Sequence, residues 1–184
     1  MAVVKGNYLG REPPTGLACA PTVSVATSVE ISMTGLAVGP NALQRARDRV
    51  DEAIRSRITD HACLRWSDDP QRADLRLEIR IQEHVKQRVW MTVLSGFTLM
   101  LVPAVATTNG TATVAVLRGE TPLASRTWQD RTQIWIQLFL VFAMPAASPT
   151  KAAERSADGF GDAVVGLLEA TIVSSPGLTP RADP

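Results

Sequence analysis

A chain of 184 residues, 45% hydrophobic and 20% charged, is long enough to bury one core and too apolar for wholesale disorder. Its 19 Lys and Arg against 18 Asp and Glu leave a net charge of +1, so no long-range field draws it to nucleic acid. The two cysteines, Cys19 and Cys63, show no CxxC or metal-like spacing, which argues against a zinc site.

Residues 1–21 open with "MAVVKGNYLGREPPTG", which is polar and rich in Pro and Gly, and they are expected to be flexible. They hold no apolar stretch of the length a secretory signal needs. Yet "TGLACAPT" sets the small Ala18 directly before Cys19, as at the end of a bacterial lipoprotein signal, where the cysteine is lipidated. Gly16 stands where a branched apolar residue is usual, so an ordinary loop cysteine is the equal alternative. The lipidated reading requires an apolar region upstream of Met1. A Cys19–Cys63 disulfide is a third option in an oxidising compartment, and spacing alone does not decide it.

"TVSVATSVEISM" puts Val23, Val25, Thr27, Val29, Ile31 and Met33 on one face, the period of a half-buried strand. After "TGLAVGP" breaks the pattern, Leu43, Ala46, Val50, Ile54 and Ile58 recur at helical spacing. This predicts a helix from an Asn41 N-cap to about Thr59, with Asp51 and Arg55 as an i,i+4 pair. "SDDPQ" reads as a turn. "ADLRLEIRIQEHV" alternates most clearly, with Leu75, Leu77, Ile79 and Ile81 on a dry face and Arg76, Glu78 and Arg80 on a wet one. "TATVAVLRGETPLASRTW" predicts strand, turn at Arg118–Pro122, strand.

The last helix is predicted from a Ser148 N-cap with Pro149 at its first position, and an apolar stripe runs from Ala153 to Ile172. Gly159, Gly161 and Gly166 either weaken that helix or allow close packing. Residues 174–184 are expected to be disordered. The expectation is a single α+β domain over residues 22–173, with a mainly antiparallel sheet of about four strands, two helices on one face, and an apolar lobe.

That lobe comes from two windows without a charged side chain, Val89 to Leu117 and Thr132 to Thr150. They are core strands, two short membrane spans over residues 89–106 and 132–147, or a lobe beyond the sheet that meets a membrane or a partner. A spanning helix needs about 20 apolar residues. The first window carries Thr92, Ser95, Gly96, Thr98 and Pro103, and the second is shorter and holds Gln137. The lobe is the preferred reading, with Trp90, Phe97, Leu99, Leu101, Trp135, Phe139 and Phe142 as contact residues.

"ADLRLEIRIQE", "LSGFTLMLVPA", "TATVAVLRGETPLASRTW" and "LFLVFAMP" together resemble a group of bacterial envelope lipoproteins of outer-membrane type. The resemblance covers about Ala73 to Ala170 and the Cys19 region. It implies lipidation at Cys19, a small α+β domain at the periplasmic face of the outer membrane, and a role as assembly or secretion accessory. It brings no established activity.

Candidate chemistry is sparse. "DHACLRW" gathers Asp60, His61 and Cys63, in which a Cys–His nucleophile pair is conceivable but lacks an orienting group. The plainer reading has His61 on the dipole at a helix C-terminus. "QEHVK" puts Glu83 and His84 on opposite faces of a strand. Asp68 and Asp69 beside Pro70 read as a solvated loop, and "GFGD" lies inside a helix. Asn109–Gly110–Thr111 matches a glycosylation sequon, and Asn-Gly is also a tight-turn signal. No phosphate-binding loop, GxSxG or HExxH is present. The expectation is a non-enzymatic protein with no cofactor, no metal and no nucleic acid. Its partner would be a membrane surface or an envelope protein, with a homo-oligomer left open.

Overall fold

A computed structural model of the chain describes residues 22–35, 39–87, 93–94, 97–98, 104–136 and 149–175. The elements are β1 (Val23–Thr34), α1 (Pro40–Thr59), β2 (Leu64–Trp66), β3 (Leu75–Gln87), β4 (Ala104–Arg118), β5 (Thr121–Ile136) and α2 (Pro149–Ser174). The strands that alternate in sequence form the sheet, and they turn their apolar face to the two helices. Val25, Leu75, Leu77, Val114 and Val116 meet Ile54, Ile58, Val164 and Leu168 there, all fully buried.

The sheet has five strands in the order β2-β1-β3-β4-β5 and is mixed, which corrects the expectation of a mainly antiparallel sheet of about four. β1 runs parallel to β2 and to β3, while β3, β4 and β5 are antiparallel. The cause is α1. A strand followed by a long helix must return in parallel, so β1–α1–β2 is a crossover and β2 takes the outer edge. β2 spans only Leu64 to Trp66, too short for any period to betray it.

α1 and α2 run side by side in the same direction, as contacts from Arg57 to Asp162 and from His61 to Glu169 require. A Cβ on Gly161 would come within 3.0 Å of the Arg57 side chain and 3.2 Å of the Ala53 carbonyl oxygen, so this glycine permits the helix contact. Gly159 and Gly166 have open space instead. Gly35 sits at φ 85°, where a Cβ would collide with the Val85 carbonyl, so only glycine fits.

Local details depart from expectation. The N-cap of α1 is Gly39, with Pro40 at the first helical position, rather than Asn41. Asp51 and Arg55 do not pair: Asp51 accepts a hydrogen bond from the Thr27 hydroxyl at 2.6 Å, while Arg55 lies over Trp66 and near Asp68. The β4–β5 turn falls at Gly119–Glu120 as predicted, with Gly119 at φ 60°. Asn109–Gly110 is no turn; it lies within β4, paired on both sides. Pro149 does begin α2, while Ser148, residues 1–21 and residues 176–184 lie outside the described residues.

Candidate functional site

Three strand ends define one pole of the molecule. Gln87 ends β3 opposite Ala106, and Ala104 begins β4 opposite Ile136, which ends β5. The connections 88–103 and 137–148, which hold most of both charge-free windows, therefore leave the sheet side by side. On the first of them Phe97 is 85% exposed, with Val93 and Leu94 also exposed. Here the Thr98 backbone N–H donates to the Leu94 carbonyl in a helical turn. Of the other predicted contact residues, Trp135 lies on β5 opposite Val105. Trp90, Leu99, Leu101, Phe139, Phe142 and Cys19 lie outside the described residues.

The two-span alternative fares poorly at its ends. Residues 104–106 are strand β4 and residues 132–136 are strand β5, not helix. What remains of each window is shorter than the roughly 20 residues that a spanning helix needs. Among the described residues, no helix is long and apolar enough to cross a membrane.

Toward the same pole, a cavity of about 280 Å³ opens between the helices and the sheet. Val50, Ile81, Trp128 and Phe160 give it an apolar wall, and Glu83 and Asp130 stand on its sheet side. Their position follows from register: Glu83 pairs with Gly110, and Gly110 pairs with Asp130, so both carboxylates project from the helix-facing side across a residue without a side chain. Asp130 accepts hydrogen bonds from the Arg131 backbone N–H at 2.7 Å and the Thr132 hydroxyl at 3.4 Å. Burial first, and the charge of Asp130 second, push the Glu83 carboxyl above the usual carboxylate range. Trp128 and Phe160 meet edge to face at 6.1 Å, and Arg126 lies over the Trp128 ring at 5.6 Å.

Sequence reasoning missed this cavity, although a signal was there. The alternation that makes Leu75 through Ile81 the dry face puts Glu83 on that same face, and Asp130 shares the parity of Trp128. A carboxylate at an inward position is informative where an outward one is not. Glu83 and His84 lie on opposite faces of β3, as the sequence predicts: His84 is on the open face, with Nδ1 at 2.9 Å from the Thr34 hydroxyl.

The "DHACLRW" segment assembles differently from a nucleophile pair. His61 Nε2 is 2.7 Å from Glu169 Oε1, and Glu169 is only 2% exposed. His61 Nδ1 accepts the Cys63 backbone N–H at 3.2 Å, which leaves Nε2 as the donor to Glu169. The imidazole thus satisfies a buried carboxylate 108 residues away, rather than a helix dipole alone. Cys63 is disulfide-bonded, so its sulfur is no thiolate nucleophile, and the sequence holds one other cysteine, Cys19. Asp68 accepts from the Trp66 indole N–H and Asp69 from the Gln71 backbone, as loop residues do. Among the described residues, no three His, Cys, Asp or Glu side chains are grouped to hold a metal.

No protein-family model matches the chain, and no curated protein matches it. Among solved structures it is similar to a homolog of the neuraminyllactose-binding hemagglutinin from Helicobacter pylori. The TM-score is 0.54 at 8% identity, over 90% of this chain and 100% of that one. It is also similar to a DUF330 protein from Xanthomonas campestris, at TM-score 0.50 and 14% identity, over 89% of this chain and 93% of that one. A minor lipoprotein from Acinetobacter baumannii reaches TM-score 0.39 at 8% identity, over 80% of this chain and 92% of that one, a likeness too slight to carry an argument. The first two show the fold: the chain shares a helix-backed α+β sheet with bacterial proteins.

Proposed function

We propose that the chain is a non-enzymatic bacterial envelope protein that docks on a membrane surface through its apolar pole and serves there as a scaffold or accessory. One observation supports this most: two connections drawn largely from charge-free sequence leave the same end of the sheet, and the described part of one exposes Phe97. Soluble monomers seldom keep large contiguous apolar surface in water, so such a pole calls for a non-aqueous neighbour. The strand ends supply the platform, since three paired strands fix where both connections begin or end. Lipidation at Cys19 would add an anchor, at the periplasmic face of the outer membrane. The disulfide at Cys63 and a thioether at Cys19 compete, because one sulfur cannot serve both.

Vesicle flotation of Phe97→Asp and Phe139→Asp tests the reading. Withdrawing one phenylalanine from a membrane interface costs roughly 1.5–3 kcal/mol, so each variant should lose about tenfold or more in vesicle partitioning. Retention equal to wild type in both variants contradicts the docking pole. Wild type that stays off vesicles but self-associates through Phe97 assigns the pole to a second copy of the chain instead.

A further inference from the structure

The cavity behind the apolar pole is a different feature from the pole itself, and its chemistry is unlike that of a membrane contact. We propose that it is a binding site for a compact organic cation, with an ammonium head between Glu83 and Asp130 and an apolar body against Trp128 and Phe160.

Three observations converge on that class of ligand. At about 280 Å³ the cavity is at the small end of the range of ligand sites, too large for one trapped water and suited to a small molecule. Its walls are mostly apolar, and its two aromatic rings are held in place, Phe160 edge-on to Trp128 and Arg126 over the indole. Its sheet side, by contrast, sets one carboxylate on β3 and one on β5, the two strands that flank Gly110 of β4. The Asp130 charge adds to burial in disfavouring the ionised form of Glu83. Among the described residues, neither Glu83 nor Asp130 forms an ion pair, and the one basic side chain lining the cavity, Arg49, is exposed.

Other ligand classes fit worse. An anion would meet two carboxylates. A neutral apolar molecule would fill the walls but leave Glu83 desolvated with no compensating charge, adding to the cost it already bears. A cation reverses that cost, because its charge favours the ionised form of Glu83. A primary ammonium also has three donors to share between two carboxylates, and aromatic rings accept the alkyl or aryl body beside it.

Binding should therefore depend on pH. Besides Glu83, the charged groups that line the cavity are Asp130 from β5 and Arg49 from α1, while Thr108, Gly110 and Thr111 of β4 and Ser156 and Phe160 of α2 carry no charge. Because Glu83 titrates above the ordinary carboxylate range, affinity for an ammonium ion should fall as pH drops through that raised value.

Isothermal titration of the full chain with phenethylammonium and with n-hexylammonium is the test, beside 3-phenylpropanol and 3-phenylpropanoate. The expected result is saturable binding of at least one amine, at least tenfold tighter than the alcohol, with no binding of the acid. Glu83→Gln and Asp130→Asn should each weaken the amine about tenfold or more, in protein whose circular dichroism is unchanged. No saturable heat with either amine overturns the proposal. So does equal binding of amine and alcohol, or unchanged affinity in both variants.

Discussion

Glu83 and His61 show how single residues carry opposing electrostatic roles in this fold. At Glu83, burial and then the Asp130 charge both disfavour ionisation, so its folded-state titration lies above that of the unfolded chain. Folding then takes up a proton at this site. The resulting penalty is absent below the unfolded value, grows between the two values, and is complete above the folded one. Glu83→Gln should therefore raise the urea midpoint at neutral pH, and that gain should vanish in acid below ordinary carboxylate titration. Urea unfolding of both proteins across pH checks the sign. His61 works the other way, since it gives the buried Glu169 carboxylate its partner at 2.7 Å. His61→Ala strands that carboxylate and should cost roughly 1–3 kcal/mol or more. In His61→Ala/Glu169→Leu the loss should be smaller than the sum of the single losses, a coupling that a double-mutant cycle measures.

At the scale of elements, the α1–α2 contact turns on which glycine faces it. Gly159 has open space where a side chain would go, so Gly159→Ala should stabilise α2 by about 0.5–1 kcal/mol through helix propensity. Gly161 lies against Arg57 and Ala53, so Gly161→Leu must push the helices apart and should cost about 1–3 kcal/mol. Thermal melts that rank Gly159→Ala above wild type and Gly161→Leu below it confirm the packing; the reverse order contradicts it. In sequence the three glycines looked alike, because which one meets α1 depends on the partner helix. The same limit governs the rest of the fold. Alternation in "ADLRLEIRIQEHV" and "TVSVATSVEISM" reveals β3 and β1 with their inward faces, since that information is local. The parallel pairing of β1 with β2 across the α1 crossover, and of β1 with β3 on its other side, joins segments distant in sequence. Asn109–Gly110 carried a local turn signal that lost to continuous pairing with β3 and β5. The Glu83–Asp130 pair was half legible: parity placed each carboxylate inward, but only the register across Gly110 brings them to one cavity.

For the whole molecule, the sheet order starts both connections, 88–103 and 137–148, from one pole, and the cavity opens toward that pole. Three paired strands and two parallel helices hold the strand ends from which both connections start. The two cysteines bear on the proposed lipid anchor. If Cys19 is lipidated, it is unavailable to the disulfide at Cys63; if it is oxidised, it carries no lipid. Carbonate-washed membrane flotation separates these cases, with the protein expressed from its native gene and compared as wild type, Cys19→Ala, Cys63→Ala and Phe97→Asp. Wild type should float, and Phe97→Asp should reduce flotation about tenfold where Cys19 carries no lipid. Release of Cys19→Ala by carbonate, with Cys63→Ala retained, identifies the lipid, because both variants lose the disulfide and only the first loses the lipidated residue. Wild type and all the variants left equally in the soluble fraction would contradict the account, because the charge-free windows would then be buried as protein core.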